Sequence, residues 1–86
     1  MTARSREEIR AVVFDVLGAI APEFDFAAIA PDQPLREQVD LDSFDFLNAI
    51  IRLHEKLGVD IPEADYSQLA TLDGTVDYLA RKCAVA

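Results

Sequence analysis

The chain has one cysteine, one histidine, three glycines and no tryptophan among its 86 residues. A single Cys83 forms no internal disulfide, so the fold must rest on its apolar core, and the chain reads as cytosolic. Ala84, Val85 and Ala86 after it suggest a frayed end, which argues against a redox role. One histidine leaves no His-rich metal set. Basic residues are scarce as well: eight Lys and Arg stand against sixteen Asp and Glu, a net charge of −8. Phosphate-rich partners need a basic patch, so nucleic acid is a poor partner, anionic membrane surfaces are disfavoured and basic proteins are favoured. No run approaches the roughly 18 apolar residues of a membrane span. The charged start, Met1 to Arg6, has no apolar stretch behind it, so no signal peptide is expected.

Half the residues are nonetheless hydrophobic, 51%, too many for a disordered acidic tail. Area scaling gives roughly 5,000 Å² folded against about 14,000 Å² unfolded, which allows one small core and no deep cleft. The acid is concentrated on the body of the domain. Residues 1–10 sum to +1, with three Arg and two Glu, and the rest to −9.

Periodicity places the helices. Ser5 and Glu8 form a capping-box pattern ahead of Ile9, Val12, Val13, Val16, Leu17 and Ile20, which predicts a helix over 5–20 closed by Pro22. Residues 21–41 have no period. Pro22, Pro31 and Pro34 punctuate them, and Phe24, Phe26, Ile29 and Leu35 anchor a packed loop with room for one helical turn. Its length suggests that the helices on either side are not hairpin neighbours. A second helix is predicted over 42–57, with Phe46, Leu47, Ile50, Leu53 and Leu57 inward and Gly58 as its left-handed stop. A short helix over 63–69 is held by Tyr66 and Leu69. Thr71 caps a last helix over 72–82 with Leu72, Val76, Tyr78 and Leu79 inward. The expectation is an all-α single domain, a small four-helix bundle with a long loop after helix 1.

The informative stretch is Asp40-Leu41-Asp42-Ser43-Phe44-Asp45-Phe46-Leu47. Ser43 stands in the first turn of an amphipathic helix, ahead of the buried stripe, so its hydroxyl should face solvent. Unpaired N–H groups there carry partial positive charge. Asp42 and Asp45 oppose free phosphate, which leaves covalent attachment by another enzyme as the chemistry that suits the site. A serine after Asp at a helix start is in most proteins only a cap. Two other readings fail. Ser43 and His54 lie about 16 Å apart along a helix, too far for a nucleophile and base. An EF-hand counted from Asp40 puts Asp45 where Gly is needed and Ile51 where Glu is needed. Loose cation binding by the acidic cluster is all that this stretch offers a metal.

Leu41-Asp42-Ser43-Phe44-Asp45, together with Leu53-His54-Glu55-Lys56-Leu57-Gly58-Val59-Asp60-Ile61-Pro62, resembles the acyl carrier protein family over about residues 5–82. The resemblance implies a four-helix bundle with a long first loop. It implies 4′-phosphopantetheine on Ser43, donated by coenzyme A through a phosphopantetheinyl transferase, and a thiol that holds an acyl or aminoacyl thioester. It implies no catalysis by the chain itself. The expected protein is a cytoplasmic, monomeric carrier in fatty-acid, lipid or polyketide-type biosynthesis, visited by acyl-loading and acyl-transfer enzymes with basic docking surfaces. A peptidyl carrier, or a helical interaction module that is never modified, are the alternatives. Asp40 stands where many members have Gly, and Phe44 where Leu or Met is usual. Asn48 and Arg52 lie on a helix surface that is typically acidic or neutral. These departures point to a specialised carrier.

At about 100° per residue, Phe44, Asn48, Ile51 and Glu55 share a face away from the expected Leu47–Ile50–Leu57 stripe. Rimmed by Asp42 and Asp45, this face is the expected partner-docking surface. Phe46, Leu47, Ile50, Leu53 and Ile61 are read as plain core, and they are also the candidate lining of a shelter for an apolar chain.

Overall fold

The computed structural model describes residues 5–84. Four α-helices, α1 (Arg6–Ile20), α2 (Leu35–Gln38), α3 (Ser43–Leu57) and α4 (Leu72–Ala84), are joined by a 3₁₀ turn at Phe26–Ala28 and a 3₁₀ helix at Glu63–Leu69. The three long helices and the 3₁₀ helix make the bundle, and there is no strand among the described residues. Helix α1 packs against both α3 and α4, and the 3₁₀ helix packs on α4.

Each long helix starts where its capping chemistry is. Ser5 Oγ accepts the Glu8 N–H while the Glu8 carboxylate accepts the Ser5 N–H, a reciprocal box. Asp42 Oδ1 accepts the Asp45 N–H at 2.8 Å and opens α3. Gly58 closes α3 at φ +67°, a left-handed residue that an L side chain would strain. Thr71 Oγ1 accepts the Gly74 N–H at 2.9 Å and opens α4. That helix runs on to Ala84, so Cys83 is half-buried against the core rather than frayed. Val85 and Ala86 lie outside the described residues.

The core is one cluster. Ile9, Val13, Val16 and Leu17 of α1 face Ala49, Ile50, Leu53 and Leu57 of α3 and Leu72, Val76, Tyr78 and Leu79 of α4. Val12 and Ile20, expected inward, are only half-buried at its margin.

The long loop is folded and pinned. Gln38 does most of this with one side chain: its Oε1 accepts the Ala30 N–H at 2.8 Å, and its Nε2 donates to the carbonyls of Ala30 and Gln33. The loop also reaches the start of α4, where Leu35 N–H donates to Ala70 O at 2.8 Å and Asp73 N–H to Pro31 O at 2.9 Å. Buried Ile29, Leu35, Val39 and Leu41 hold it down. Phe24 and Phe26 stay half-buried and form an aromatic chain instead, Phe24 edge-on to Phe26 at 4.9 Å between ring centres and Phe26 tilted against Phe14 at 5.6 Å. Because α1 packs directly on α3, the loop's length does not separate these helices. It is a detour past the beginning of α4.

The Tyr78 hydroxyl donates to Asp65 Oδ2 at 2.6 Å and ties α4 to the 3₁₀ helix. Burial, reinforced by that carboxylate, pushes the Tyr78 phenol up to about 12. The folded protein therefore keeps this proton after the unfolded chain has lost it. The resulting stability is fully present below pH 10 and is lost as pH rises towards about 12. Urea unfolding across that range is expected to lose stability more steeply in the wild type than in Tyr78→Phe. Parallel losses would mean that this phenol does not couple to folding.

Candidate functional site

Three local features aim Ser43 outward. Helix α2 is a single turn, ended by Val39 N–H donating to Leu35 O at 2.9 Å. Asp40 then takes a left-handed conformation, φ +56°, and turns the chain. Asp is among the few side chains that tolerate this geometry, and Gly tolerates it freely, which explains why glycine is usual at this position in the family that the motif resembles. Buried Leu41 fixes the strand of chain before the helix, and its N–H donates to Arg36 O at 3.0 Å. Asp42 caps, so Ser43 is the first residue of α3, exposed and free of the capping duty.

Arg36 meets the serine. Its Nη2 donates to Ser43 Oγ at 3.2 Å, its Nε to Leu41 O at 3.4 Å, and its guanidinium carbon lies 5.3 Å from the centre of the Phe46 ring. Phe46 in turn stands edge-on to Tyr66, 6.1 Å between centres. These rings wall an open groove of about 640 Å³ whose lining includes Arg36, Ser43, Phe46, Leu47, Tyr66 and Ala70. The serine thus lies at the edge of a largely apolar trough between α3 and the 3₁₀ helix.

Sequence reasoning overlooked Arg36 altogether. A signal existed: it is the only Lys or Arg between Arg10 and Arg52. The groove had no such signal, because it combines the loop, α3 and the 3₁₀ helix.

The outer face of α3 carries Phe44, 73% exposed, with Leu47 at 43% and Ile51 at 45%. Asp42 and Glu55 are exposed, and Asp45 and Asn48 are half-buried. Leu47 is a correction. It was expected in the buried stripe, yet around the helix it lies about 60° from Phe44 and about 120° from Leu53. It belongs to the exposed face and to the groove's rim.

The expected shelter is also corrected, since its five residues do not line one cavity. Phe46, Ile50 and Leu53 border an interior void of only about 20 Å³. Ile50 and Ile61 also line a second surface groove, on the far side of Tyr66, together with His54 and Lys82. His54 Nδ1 is 2.6 Å from Val59 O, so this ring pins the end of α3 to the next segment.

A protein-family comparison settles what kind of domain this is: the model described as the phosphopantetheine attachment site matches residues 7–79. The chain belongs to the acyl carrier protein family. It is 33% identical over 81 residues to polyketide-8 synthase acyl carrier protein 2 of Streptomyces avermitilis, covering 94% of this chain and 87% of that one. It is 31% identical over 78 residues to the acyl carrier protein of Thermosynechococcus vestitus, covering 91% and 90%. Among solved structures it matches the solution structure of a protein assigned as an acyl carrier protein in Anaplasma phagocytophilum. There the TM-score is 0.80 at 26% identity, over the whole of both chains.

An acyl carrier protein has covalently attached 4′-phosphopantetheine as its cofactor, and its partners include a phosphopantetheinyl transferase and acyl-handling enzymes. The residues present fit such a group: an exposed hydroxyl, a guanidinium beside it, and an apolar trough leading away. Among the described residues no three His, Cys, Asp or Glu side chains are grouped to hold a metal ion. No described helix is long and apolar enough to cross a membrane.

Proposed function

We propose that Ser43 is the attachment residue and that the protein is a specialised cytoplasmic carrier of acyl intermediates. The observation that carries this reading is the position of Ser43: exposed, first in α3, inside the matched domain and beside the groove. In the attachment reaction the Ser43 oxygen forms a new bond to phosphorus. The nucleotide half of coenzyme A leaves as its bond to that phosphorus breaks, and the serine proton passes to a base of the transferase. The attached arm supplies a thiol that holds acyl groups as thioesters. Tethering then presents each intermediate to successive enzymes at high effective concentration.

Phe44 in place of Leu or Met favours a specialised carrier over the housekeeping fatty-acid one, and the 33% identity to a polyketide synthase carrier makes polyketide-type assembly one pathway that suits it. An aminoacyl cargo fits the same attachment chemistry. Asp42, Phe44, Asp45, Asn48, Ile51 and Glu55, with Leu47 added, form the docking face. It offers apolar contact at its centre and acid at its rim, which suits enzymes with basic surfaces around an apolar socket.

Incubation with coenzyme A and a broad-specificity transferase is expected to add the mass of one phosphopantetheine. Reversing Asp45 and Glu55 to Lys together is expected to slow loading roughly tenfold, with the difference shrinking at high salt. No mass gain under conditions that load another carrier would replace this reading with an unmodified interaction module. An unchanged rate in the reversed variant would remove those two acids from the docking face.

A further inference from the structure

Arg36 has a feature that the attachment reading alone does not use. Four carboxylates follow it closely in sequence, Glu37, Asp40, Asp42 and Asp45, and it forms no ion pair with any carboxylate of the described residues. Its guanidinium is instead held by a carbonyl, an aromatic face and the Ser43 hydroxyl. A cation that declines nearby carboxylates and donates only to neutral oxygens, one of them the Ser43 hydroxyl, is placed for a charge not yet there.

We propose that Arg36 is a positioning residue for the prosthetic group: once Ser43 is modified, its guanidinium pairs with the phosphodiester and turns the base of the arm towards the Phe46–Tyr66 groove. This inference rests on Ser43 being the attachment residue. In the modified protein Ser43 Oγ becomes an ester oxygen, and the charged phosphate oxygens lie one bond further out. Nη2 is already 3.2 Å from the ester position, so pairing needs only a small swing of the side chain. A planar guanidinium offers a fork of donors that matches phosphate. Stacking on Phe46 limits the planes that the fork can take, and so links the phosphate to the groove side of α3 rather than to the Phe44 side. Asp42 and Asp45 would repel the phosphodiester, and Arg36 is the cation that offsets them.

The test compares unmodified and loaded protein, in the wild type and in Arg36→Gln, by nuclear magnetic resonance and thermal unfolding. Loading is expected to move the Arg36 Nε–H resonance of the wild type. The phosphorus resonance of loaded protein is expected to differ between wild type and Arg36→Gln. Loading should also raise the wild-type midpoint by about 2–4 °C more than that of the variant. In 1 M salt, where screening acts within about 3 Å, that difference should fade. A structural role for Arg36 would shift both forms of the variant equally and leave the increment on loading untouched. If the variant is not loaded, the wild-type Nε–H resonance decides. A mass gain with an unmoved Nε–H overturns the pairing and leaves the attachment reading standing, whereas no mass gain in the wild type overturns both.

Discussion

Ser43→Ala is expected to take up no phosphopantetheine under conditions that load the wild type fully, and to unfold within about 0.5 kcal/mol of it. The two halves of this expectation have separate causes. Loading fails because the attacking oxygen is gone. Stability survives because the cap of α3 is Asp42, whose Oδ1 accepts the Asp45 N–H at 2.8 Å. Among the described residues the Ser43 hydroxyl accepts only from exposed Arg36, a surface contact whose loss costs little. Other hydroxyls are poor substitutes. Ser5 and Thr71 cap α1 and α4, and buried Thr75 donates to the carbonyls of Leu69 and Thr71. Ser67 is the informative control, because it is exposed on the opposite wall of the same groove. Ser67→Ala should load as the wild type does. Intact-mass measurement on both variants checks this, and loading that persists in Ser43→Ala but vanishes in Ser67→Ala would move the site across the groove.

The parts of this fold that were legible in the sequence are those written in short-range chemistry. The Ser5–Glu8 box, the Asp42 and Thr71 caps and Gly58 each act within a few residues, so the long helices could be bounded closely. Gln38 could not be read in the same way. Its side chain ties Ala30 and Gln33 only after the loop has bent back, and an isolated Gln in a sequence carries no trace of that. Leu47 was misplaced for a different reason. An apolar residue at the margin of a helical stripe fits either side, and what covers it is decided by neighbouring segments. Near Leu47 the neighbours are Tyr66 and Ala70, which leave an open groove rather than a lid. Asp40 shows an intermediate case: its departure from glycine was visible, but the reason that glycine is usual there emerged only with its positive φ.

Leu53→Ala is expected to cost about 2–5 kcal/mol, because it removes a buried side chain from the middle of α3 and leaves a cavity behind. Leu53 is 4% exposed and borders the interior void of about 20 Å³, with Val13 and Leu17 of α1, Leu35 of α2 and Leu69 of the 3₁₀ helix around it. Total stability for a chain of this size is about 4–13 kcal/mol. The urea midpoint should therefore fall by at least roughly a sixth, and by about 40% at the middle of both ranges, with an unchanged slope. Leu47→Ala, on the groove's rim, should change stability by about 0.5 kcal/mol or less. The enlarged void also has a functional use. It lies behind Phe46, and the same ring walls the groove next to Ser43. In the wild type the interior is closed, so an apolar chain on the arm can enter only by forcing the core apart. In Leu53→Ala the space is already open. Loading with a medium-chain acyl group is therefore expected to restore several degrees more of midpoint temperature in the variant than it adds to the wild type, since a chain that fills the void stabilises only the folded state. An equal increment in both proteins would mean that the chain stays in the surface groove and that the core of this carrier does not take part in holding cargo.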